Sequence, residues 1–363
     1  MSCATILIIK TGALGDVLRT TSILPGLRTA FPDAEIAWVT APGALELLET
    51  NEEIDTLLSV DPRDADAVAA LGDELAGDEW DWVISLDDED PLCALATRLG
   101  THKLSGAHHD ATGVRVYSDD TAPWFEMGLL SVHGKAEADR RKLTNTRSHP
   151  AIYAEMLGIE MGQPEFELPL ESMEFAARFA ADRELLDVEF LIGLNTGAGG
   201  RWTSKALPED RVIELAGLLA AKLDGKTAFL VLGGPDESER NARLLAELEA
   251  AGHRGVDAGT DNGLADFGGL VDLCDLLITS DSLALHIAVA GDVPLVAFFA
   301  PTSAAEIELY GLGEKVVSTG PDYCSYRPDA DNSSVTAARV ADAALTVLER
   351  TANAQDPDEG DSA

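Results

Sequence analysis

The 363-residue sequence predicts an α/β protein built from two doubly wound, Rossmann-like units in series. Three observations predict it. Strand-length apolar runs alternate with helical patterns through the first half. A stretch rich in turn signals follows. The second half then restarts the same alternation. Alternation of this kind calls for parallel sheets with crossover helices. Two such units with a connector between them predict a central cleft faced by both sheets, since domain interfaces are preferred ligand sites.

In the first unit, residues 1–160, strand-like runs lie at 5–10, 35–40, 55–60 and 81–86. Helical patterns fall at 17–30, 43–50, 65–76 and 90–99. The stretch 101–135 is poorly periodic and rich in His, Gly and Asp, so it reads as short strands and loops. A helix near 148–157 ends at Gly158, a suitable C-cap. Residues 161–189 hold Pro164, Pro169 and a helical pattern from Met173 to Leu186, and read as a connector. In the second unit, residues 190–334, strands fit 190–195, 227–232, 255–258, 275–279 and 294–299. Helices fit 209–222, 237–251, 263–273 and 282–290. A last helix covers 335–354, and 355–363 reads as a disordered acidic tail.

Composition bounds the function. The chain is 46% hydrophobic, as a globular protein should be. No apolar stretch approaches the roughly 18 residues of a spanning helix. The N-terminal apolar run is short and lacks a basic leader, so a soluble, cytoplasmic protein is expected. Cys3, Cys93, Cys274 and Cys324 are scattered without metal-ligand spacing, which leaves free thiols and no metal site. The net charge is −38, from 64 acidic and 26 basic residues. Such a surface repels nucleic acid and anionic membranes, leaving at most a transient membrane-surface contact. Lysine is scarce and Asp abundant, a balance that suits a salt-rich solution, where screening relieves self-repulsion.

Residues 6–20 read Ile-Leu-Ile-Ile-Lys-Thr-Gly-Ala-Leu-Gly-Asp-Val-Leu-Arg-Thr. A strand ends in a turn flanked by Gly12 and Gly15, and Asp16 stands where a helix begins. In an open α/β sheet such a turn lies at the ligand crevice, and glycine lets backbone approach a ligand. Asp16 therefore has two readings, an acid at the crevice or an N-cap for a helix from residue 17.

The second half carries three similar turns. Residues 192–205 run from a strand into a Gly-rich loop with Thr196, Gly197 and Lys205. Its N–H groups can hold phosphate oxygens, and Lys205 adds a point charge. Gly-rich loops are also often just loops. Leu-Val-Leu-Gly-Gly-Pro at 230–235 places Gly233 and Gly234 at a strand end, as a ligand approach or as a tight turn. Residues 275–291 end a strand at Thr279 and offer Ser280, Asp281 and Ser282 at a helix start, where an anion is favoured. His286 shares a helix face with Ser282; taken alone it reads as a packing histidine. Thr302, in the turn after the next strand, can reach the same crevice.

Taken together, these stretches resemble family 9 glycosyltransferases, the heptosyltransferases of lipopolysaccharide core assembly. The matching pieces are Lys-Thr-Gly-Ala-Leu-Gly-Asp at 10–16, Phe-Pro-Asp-Ala-Glu-Ile at 31–36 and Ser-Lys-Ala-Leu-Pro at 204–208. They continue with Gly-Gly at 233–234, Ser-Asp-Ser at 280–282 with His286, and Pro-Thr-Ser at 301–303. The sequence departs from the family pattern at Leu283, Ala206 and Ala300, where Gly, Trp and Gly are usual.

The resemblance implies a GT-B fold, with the acceptor on the N-terminal domain and the nucleotide sugar on the C-terminal one. It implies an inverting, metal-independent transfer, typically from ADP-heptose, with the nucleotide sugar as substrate and no separate cofactor. Asp16 matches the catalytic acid, Lys205 the lysine near the donor phosphates, and Asp281 the donor-binding Asp. On this reading Thr196, Gly197, Lys205, Gly233, Gly234, Ser280, Asp281, Ser282, His286 and Thr302 form the donor site. The partners are an ADP-sugar and a glycan or glycolipid acceptor. Gly15 and Arg19 flank the acceptor beside Asp16. The cluster Lys135, Arg140, Arg141, Lys142 and Arg147 stands against only Glu137 and Asp139. Arg140 and Arg141 either hold an acidic acceptor or belong to a solvated loop and helix start. A nucleotide-sugar epimerase of the same fold and a non-catalytic nucleotide-sugar-binding protein are the alternatives. A nicotinamide oxidoreductase fits poorly, because no complete Gly-x-Gly-x-x-Gly with a downstream carboxylate is present.

Overall fold

The computed structural model describes residues 4–128, 130–197, 202–223 and 225–355. Cys3, the loop glycines Gly199 and Gly200, and the acidic tail from Asp356 on lie outside the described residues. The chain divides into two units, Met1–Glu167 and Leu168–Ala363.

The first unit opens with β1 (Thr5–Ile9), α1 (Leu14–Thr20), α2 (Leu24–Ala30), β2 (Glu35–Thr40) and β3 (Thr56–Ser59). It continues with α3 (Ala65–Leu75), β4 (Trp80–Ser85), α4 (Asp90–Arg98), β5 (Thr101–His109) and β6 (Arg115–Tyr117). Three helices close it: α5 (Ala122–Phe125), α6 (Lys135–Thr144) and α7 (His149–Leu157). The sheet order is β3-β2-β1-β4-β5-β6, parallel except for β6.

The second unit holds α8 (Leu170–Asp182), β7 (Phe190–Asn195), α9 (Glu209–Lys222), β8 (Thr227–Val231) and α10 (Ser238–Ala250). Next come β9 (Gly255–Asp257), α11 (Leu264–Asp272), β10 (Leu276–Ser280) and α12 (Leu283–Ala290). Then follow β11 (Leu295–Phe299), β12 (Gly313–Val317) and α13 (Ala337–Gln355). The sheet order is β12-β11-β10-β7-β8-β9, parallel throughout.

The two orders are the same Rossmann order read from opposite ends. Each reverses once, between β1 and β4 and between β7 and β10, and ligands favour the strand ends at such a reversal. Both sheets are covered on both faces, which is why their central strands are nearly continuous apolar runs. Ile6 to Ile9 of β1 and all of β10 and β11 are buried. In the first core Leu7, Ile9, Val39 and Val83 meet Leu92 and Leu95 of α4. In the second, Ile192, Phe229, Ile278 and Val296 meet Val212 and Leu215 of α9 and Val340 and Val347 of α13.

Several elements differ from the sequence expectation, each for a local reason. The helix expected over 17–30 starts at Leu14 and breaks into two α-helices joined by a 3-10 turn at Thr21–Ile23. Pro25 opens α2, where its missing N–H costs nothing. The helix expected at 43–50 is a 3-10 segment, Pro42–Leu47. The aperiodic stretch 101–135 contains the nine-residue β5, held by pairing with β4 and β6 rather than by an apolar face. The cationic segment after residue 134 is a ten-residue helix, α6. Only Ala138 on it is buried, and Lys135–Asp139, Arg140–Glu137 and Arg141–Glu137 pairs lie at helical spacing. Edge strand β12 was not expected, because only Val316 on it is buried. In the stretch read as a connector, α8 groups with the second unit. Its Ser172 donates to Asp266 of α11 at 2.8 Å. Gly158 closes α7 in the left-handed conformation, as expected.

Two predictions follow from packing and charge. Gly106 has φ +117°, and a Cβ there would lie 1.8 Å from the Ser85 carbonyl oxygen. Gly113 also has positive φ but open space around it. Gly106→Ala should cost about 2–4 kcal/mol, and Gly113→Ala about 1 kcal/mol. Urea unfolding followed by circular dichroism checks this; equal losses would refute the close approach. For a chain of charge −38, raising salt from about 0.1 M to about 1 M shortens the screening length from about 10 Å to about 3 Å. The thermal midpoint should rise across that range, and a midpoint indifferent to salt would refute self-repulsion as a limit on stability.

Candidate functional site

In the first unit the chain leaves β1 at Lys10, whose carbonyl accepts the Trp38 indole N–H at 3.1 Å. The Lys10 ammonium pairs with buried Asp87, just beyond the end of β4, and also donates to the Gly12 carbonyl. Asp87 further accepts from the Thr11 N–H and, at 2.8 Å, from the Thr11 hydroxyl. Burial opposes the charge on Lys10, but the Asp87 and Asp16 carboxylates outweigh it and raise its pKa. The turn carrying Asp16 is thus tied across the sheet reversal.

Asp16 is not a cap. Helix α1 begins at Leu14 with Ala13 as its N-cap and no side-chain capping bond, so Asp16 lies within the first turn. Its carboxylate is 41% exposed and meets Arg19 at 2.8 Å. The Arg19 guanidinium lies 5.4 Å from the Trp124 ring centre.

A cavity of about 440 Å³ opens here. Its charged groups are Lys10, Asp16, Arg19, Asp87, Asp88 and Glu89. Its aromatic wall is Trp124, His149 and Tyr153, with His149 at 4.8 Å from Trp124 and 3.8 Å from Tyr153 between ring centres. Asp88 accepts from the Tyr117 hydroxyl at 2.9 Å. Burial, then the neighbouring Asp87, pushes the Glu89 carboxyl above its usual range.

Of the residues expected to flank the acceptor, Arg19 lines this cavity and Gly15 does not. Arg140 and Arg141 do not line it either. Both pair with Glu137 on their own helix, and Arg141 also with Glu126. The expectation that they hold an acidic acceptor therefore finds no support in the lining of this cavity. Asp87, Asp88, Glu89 and the aromatic wall were missed. For the three acids the signal was a run of carboxylates directly after a strand.

In the second unit the ends of β7 and β10 meet. Asn195 donates to Thr279 at 3.0 Å and to Ser282 at 3.1 Å. Ser282 is the N-cap residue of α12, but its hydroxyl makes no capping bond and is engaged with Asn195 and Thr279. Lys205 donates to the Asp281 carbonyl at 2.7 Å and to its carboxylate at 3.0 Å. Thr196 is fully buried and accepts from Arg240 at 3.1 Å. Burial lowers the Arg240 pKa. The sequence reading missed Asn195 and Arg240, the latter because it stands on an ordinary surface-patterned helix. Ser280 and Thr302 keep buried hydroxyls with no hydrogen-bond partner among the described residues. Polar atoms in that state are candidates to meet a ligand.

Other expected donor residues sit differently. A Cβ on Gly197 would lie 2.4 Å from the Glu237 side chain, and one on Gly233 would meet Asn241 at 2.8 Å and Glu237 at 2.9 Å. The Gly234 N–H donates to Glu237 at 2.9 Å. Gly197 and Gly233 make room for Glu237, and Gly234 donates to it. His286 is buried in the middle of α12. Leu283 is the first residue of that helix and half-buried.

The model of glycosyltransferase family 9 (heptosyltransferase) matches residues 68–334. Lipopolysaccharide heptosyltransferase 1 of Escherichia coli (strain K12) is 24% identical over 321 residues, which cover 86% of this chain and 92% of that protein. The crystal structure of the glycosyl transferase family 9 from Veillonella parvula DSM 2008 superposes with a TM-score of 0.76 at 23% identity, covering 96% of this chain and 98% of that one. E. coli heptosyltransferase WaaC with ADP superposes with a TM-score of 0.56 at 20% identity, covering 97% and 98%. The chain therefore belongs to glycosyltransferase family 9, has the two Rossmann-like domains of the GT-B fold, and is a glycosyltransferase that uses a nucleotide sugar.

Proposed function

We propose that this protein is an inverting, metal-independent transferase that moves a sugar, heptose from ADP-heptose in the first instance, onto a glycan acceptor. The carrying observation is a half-exposed carboxylate, Asp16, on the edge of a cavity at the reversal point of the first sheet. The relative named lipopolysaccharide heptosyltransferase 1 and the solved heptosyltransferase with ADP support the donor. They also support an acceptor drawn from lipopolysaccharide core or a related glycolipid.

In the proposed reaction, Asp16 accepts the proton of an acceptor hydroxyl as that oxygen attacks the anomeric carbon. The bond from that carbon to the diphosphate oxygen breaks on the opposite face, so one displacement inverts the carbon. The departing diphosphate gains charge, which fixed donors stabilise best. Lys205, the hydroxyls of Ser280 and Thr302, and the N–H groups opening α12 are suited to that role. They would supply the positive potential that a metal supplies elsewhere. Asp281 would take sugar or ribose hydroxyls, sharing Lys205 with the incoming phosphates.

Asp16→Asn should lower transfer by about 10²- to 10⁴-fold, the usual worth of a general base, while ADP affinity stays the same. ADP release from ADP-heptose over a panel of glycan acceptors, beside calorimetry, measures both. Full turnover in the variant refutes the role. Lys205→Ala should weaken ADP binding by about tenfold or more, as loss of a charged hydrogen bond implies. EDTA should leave the affinity unchanged, and UDP and GDP should bind less well than ADP. Equal binding of all three nucleotides, or binding that EDTA abolishes, would overturn the corresponding part of the proposal.

A further inference from the structure

Between β12 and α13 the chain makes a segment, residues 318–336, that has no part in the proposed reaction. Its middle is bonded to two loops that leave the second sheet. On one side it meets the turn after β11. The Cys324 N–H donates to the Ala300 carbonyl at 3.1 Å, and the Tyr326 N–H to the Pro301 carbonyl at 2.8 Å. The Tyr323 hydroxyl accepts the Ala304 N–H at 3.0 Å. These bonds bracket Thr302. Cys324 and Tyr326 stand at φ +59° and +54°, a left-handed conformation uncommon for residues with a side chain.

On the other side the segment meets the short turn Thr203–Lys205. The Ser204 N–H and the Thr203 hydroxyl both donate to the Pro328 carbonyl, at 3.1 Å and 2.9 Å. The Ser204 hydroxyl donates to the Arg327 carbonyl at 3.0 Å. Asn332 completes this face. Its amide nitrogen donates to the Ser204 carbonyl at 3.2 Å and to the Ala206 carbonyl at 2.8 Å, the residues before and after Lys205. Its amide oxygen accepts from Arg211 of α9 at 3.2 Å. A side-chain amide suits the position because it offers two N–H groups and an acceptor oxygen at once.

A lysine carries its ammonium on a flexible four-carbon stem. The reach of that ammonium is set by where the backbone at residue 205 is held. Displacing a positioned group by about 1 Å can cost about a hundredfold. We propose that Asn332 is a positioning residue for Lys205, holding the backbone on both sides of the lysine so that its ammonium meets the diphosphate of the nucleotide sugar. The segment it belongs to ties that lysine to the turn carrying Thr302, so one stretch of chain fixes two of the groups that face the diphosphate. The inference rests on the reading of Lys205 as a donor-phosphate group.

A double-mutant cycle on Lys205 and Asn332 tests it, read by calorimetry with ADP and by saturation-transfer NMR with adenosine, which lacks the phosphates. Asn332→Ala should weaken ADP binding by about threefold or more and leave adenosine within about twofold. In Lys205→Ala protein the same change should have little further effect on ADP, because the group it positions is gone. Thr203→Val removes another tie on the same turn and should act in the same direction. It decides the question if circular dichroism shows that Asn332→Ala does not fold. Unchanged ADP affinity in the folded variant overturns the proposal. Equal loss of ADP and adenosine, or a loss fully additive with that of Lys205→Ala, also overturns it, since either marks a general loosening of the domain. Wild-type protein that binds no ADP, or Lys205→Ala protein that binds it as well as wild type does, overturns the donor reading first and is told apart in that way.

Discussion

A parallel sheet whose strand order reverses has one point where the loops leaving adjacent strands diverge, and those loops must be tied by side chains. Both units meet this constraint in the same way. In the first, Lys10 at the end of β1 reaches Asp87 at the end of β4. In the second, Asn195 at the end of β7 reaches Thr279 and Ser282 at the end of β10. The first tie is ionic and buried. Removing one partner of such a pair typically costs about 3–5 kcal/mol, because the other charge is left stranded. The pair also sets the turn at Thr11 and Gly12, and with it the first turn of α1 where Asp16 stands. The position of Asp16 therefore depends on an ion pair in which Asp16 takes no part.

The second tie is neutral, and that difference suits what each unit holds. Around Lys10 and Asp87 the lining is negative, so hydrogen-bond donors such as hydroxyls are favoured. Around Asn195 the nearby groups are hydroxyls, a lysine and the start of α12, so acceptors such as phosphate oxygens are favoured. One topology, used twice, presents different chemistry because different residue types fill equivalent strand ends. The charge of −38 adds a further constraint. Anionic donors must approach a negative protein, so local positive potential at Lys205 and the opening of α12 matters more than it would on a neutral surface.

Much of this was legible in the sequence. The mostly buried strands β1, β2, β4, β7, β8, β10 and β11 carry the apolar runs that periodicity picks out. Strand β5 and the edge strands β6 and β12 are held mainly by pairing, which leaves little trace in composition. Asp16, Lys205, Ser280 and Asp281 stood out in the sequence because each lies in a segment that leaves an apolar strand and leads towards a helix. The aromatic wall was not legible: Trp124, His149 and Tyr153 lie on α5 and α7, far along the chain from β1, and meet it only through tertiary packing. Gly197 and Gly233 were read for ligand approach, yet both make room for Glu237. Glycine at a strand end reports that something comes close, and a carboxylate of the protein itself meets that description as well as a phosphate does.

The same reasoning separates the two kinds of carboxylate near β1. Asp87 is buried and fully engaged, with the Lys10 ammonium, the Thr11 N–H and the Thr11 hydroxyl on its oxygens. Those donors occupy its oxygens, which leaves Asp87 poorly placed to meet a substrate hydroxyl. Asp16 is half-exposed, sits on a helix that needs no cap from it, and faces open volume. Its carboxylate can meet an incoming hydroxyl without breaking the fold. Position in the chain nominates both residues, but only their surroundings distinguish the buried one that holds the turn from the half-exposed one that lines the cavity.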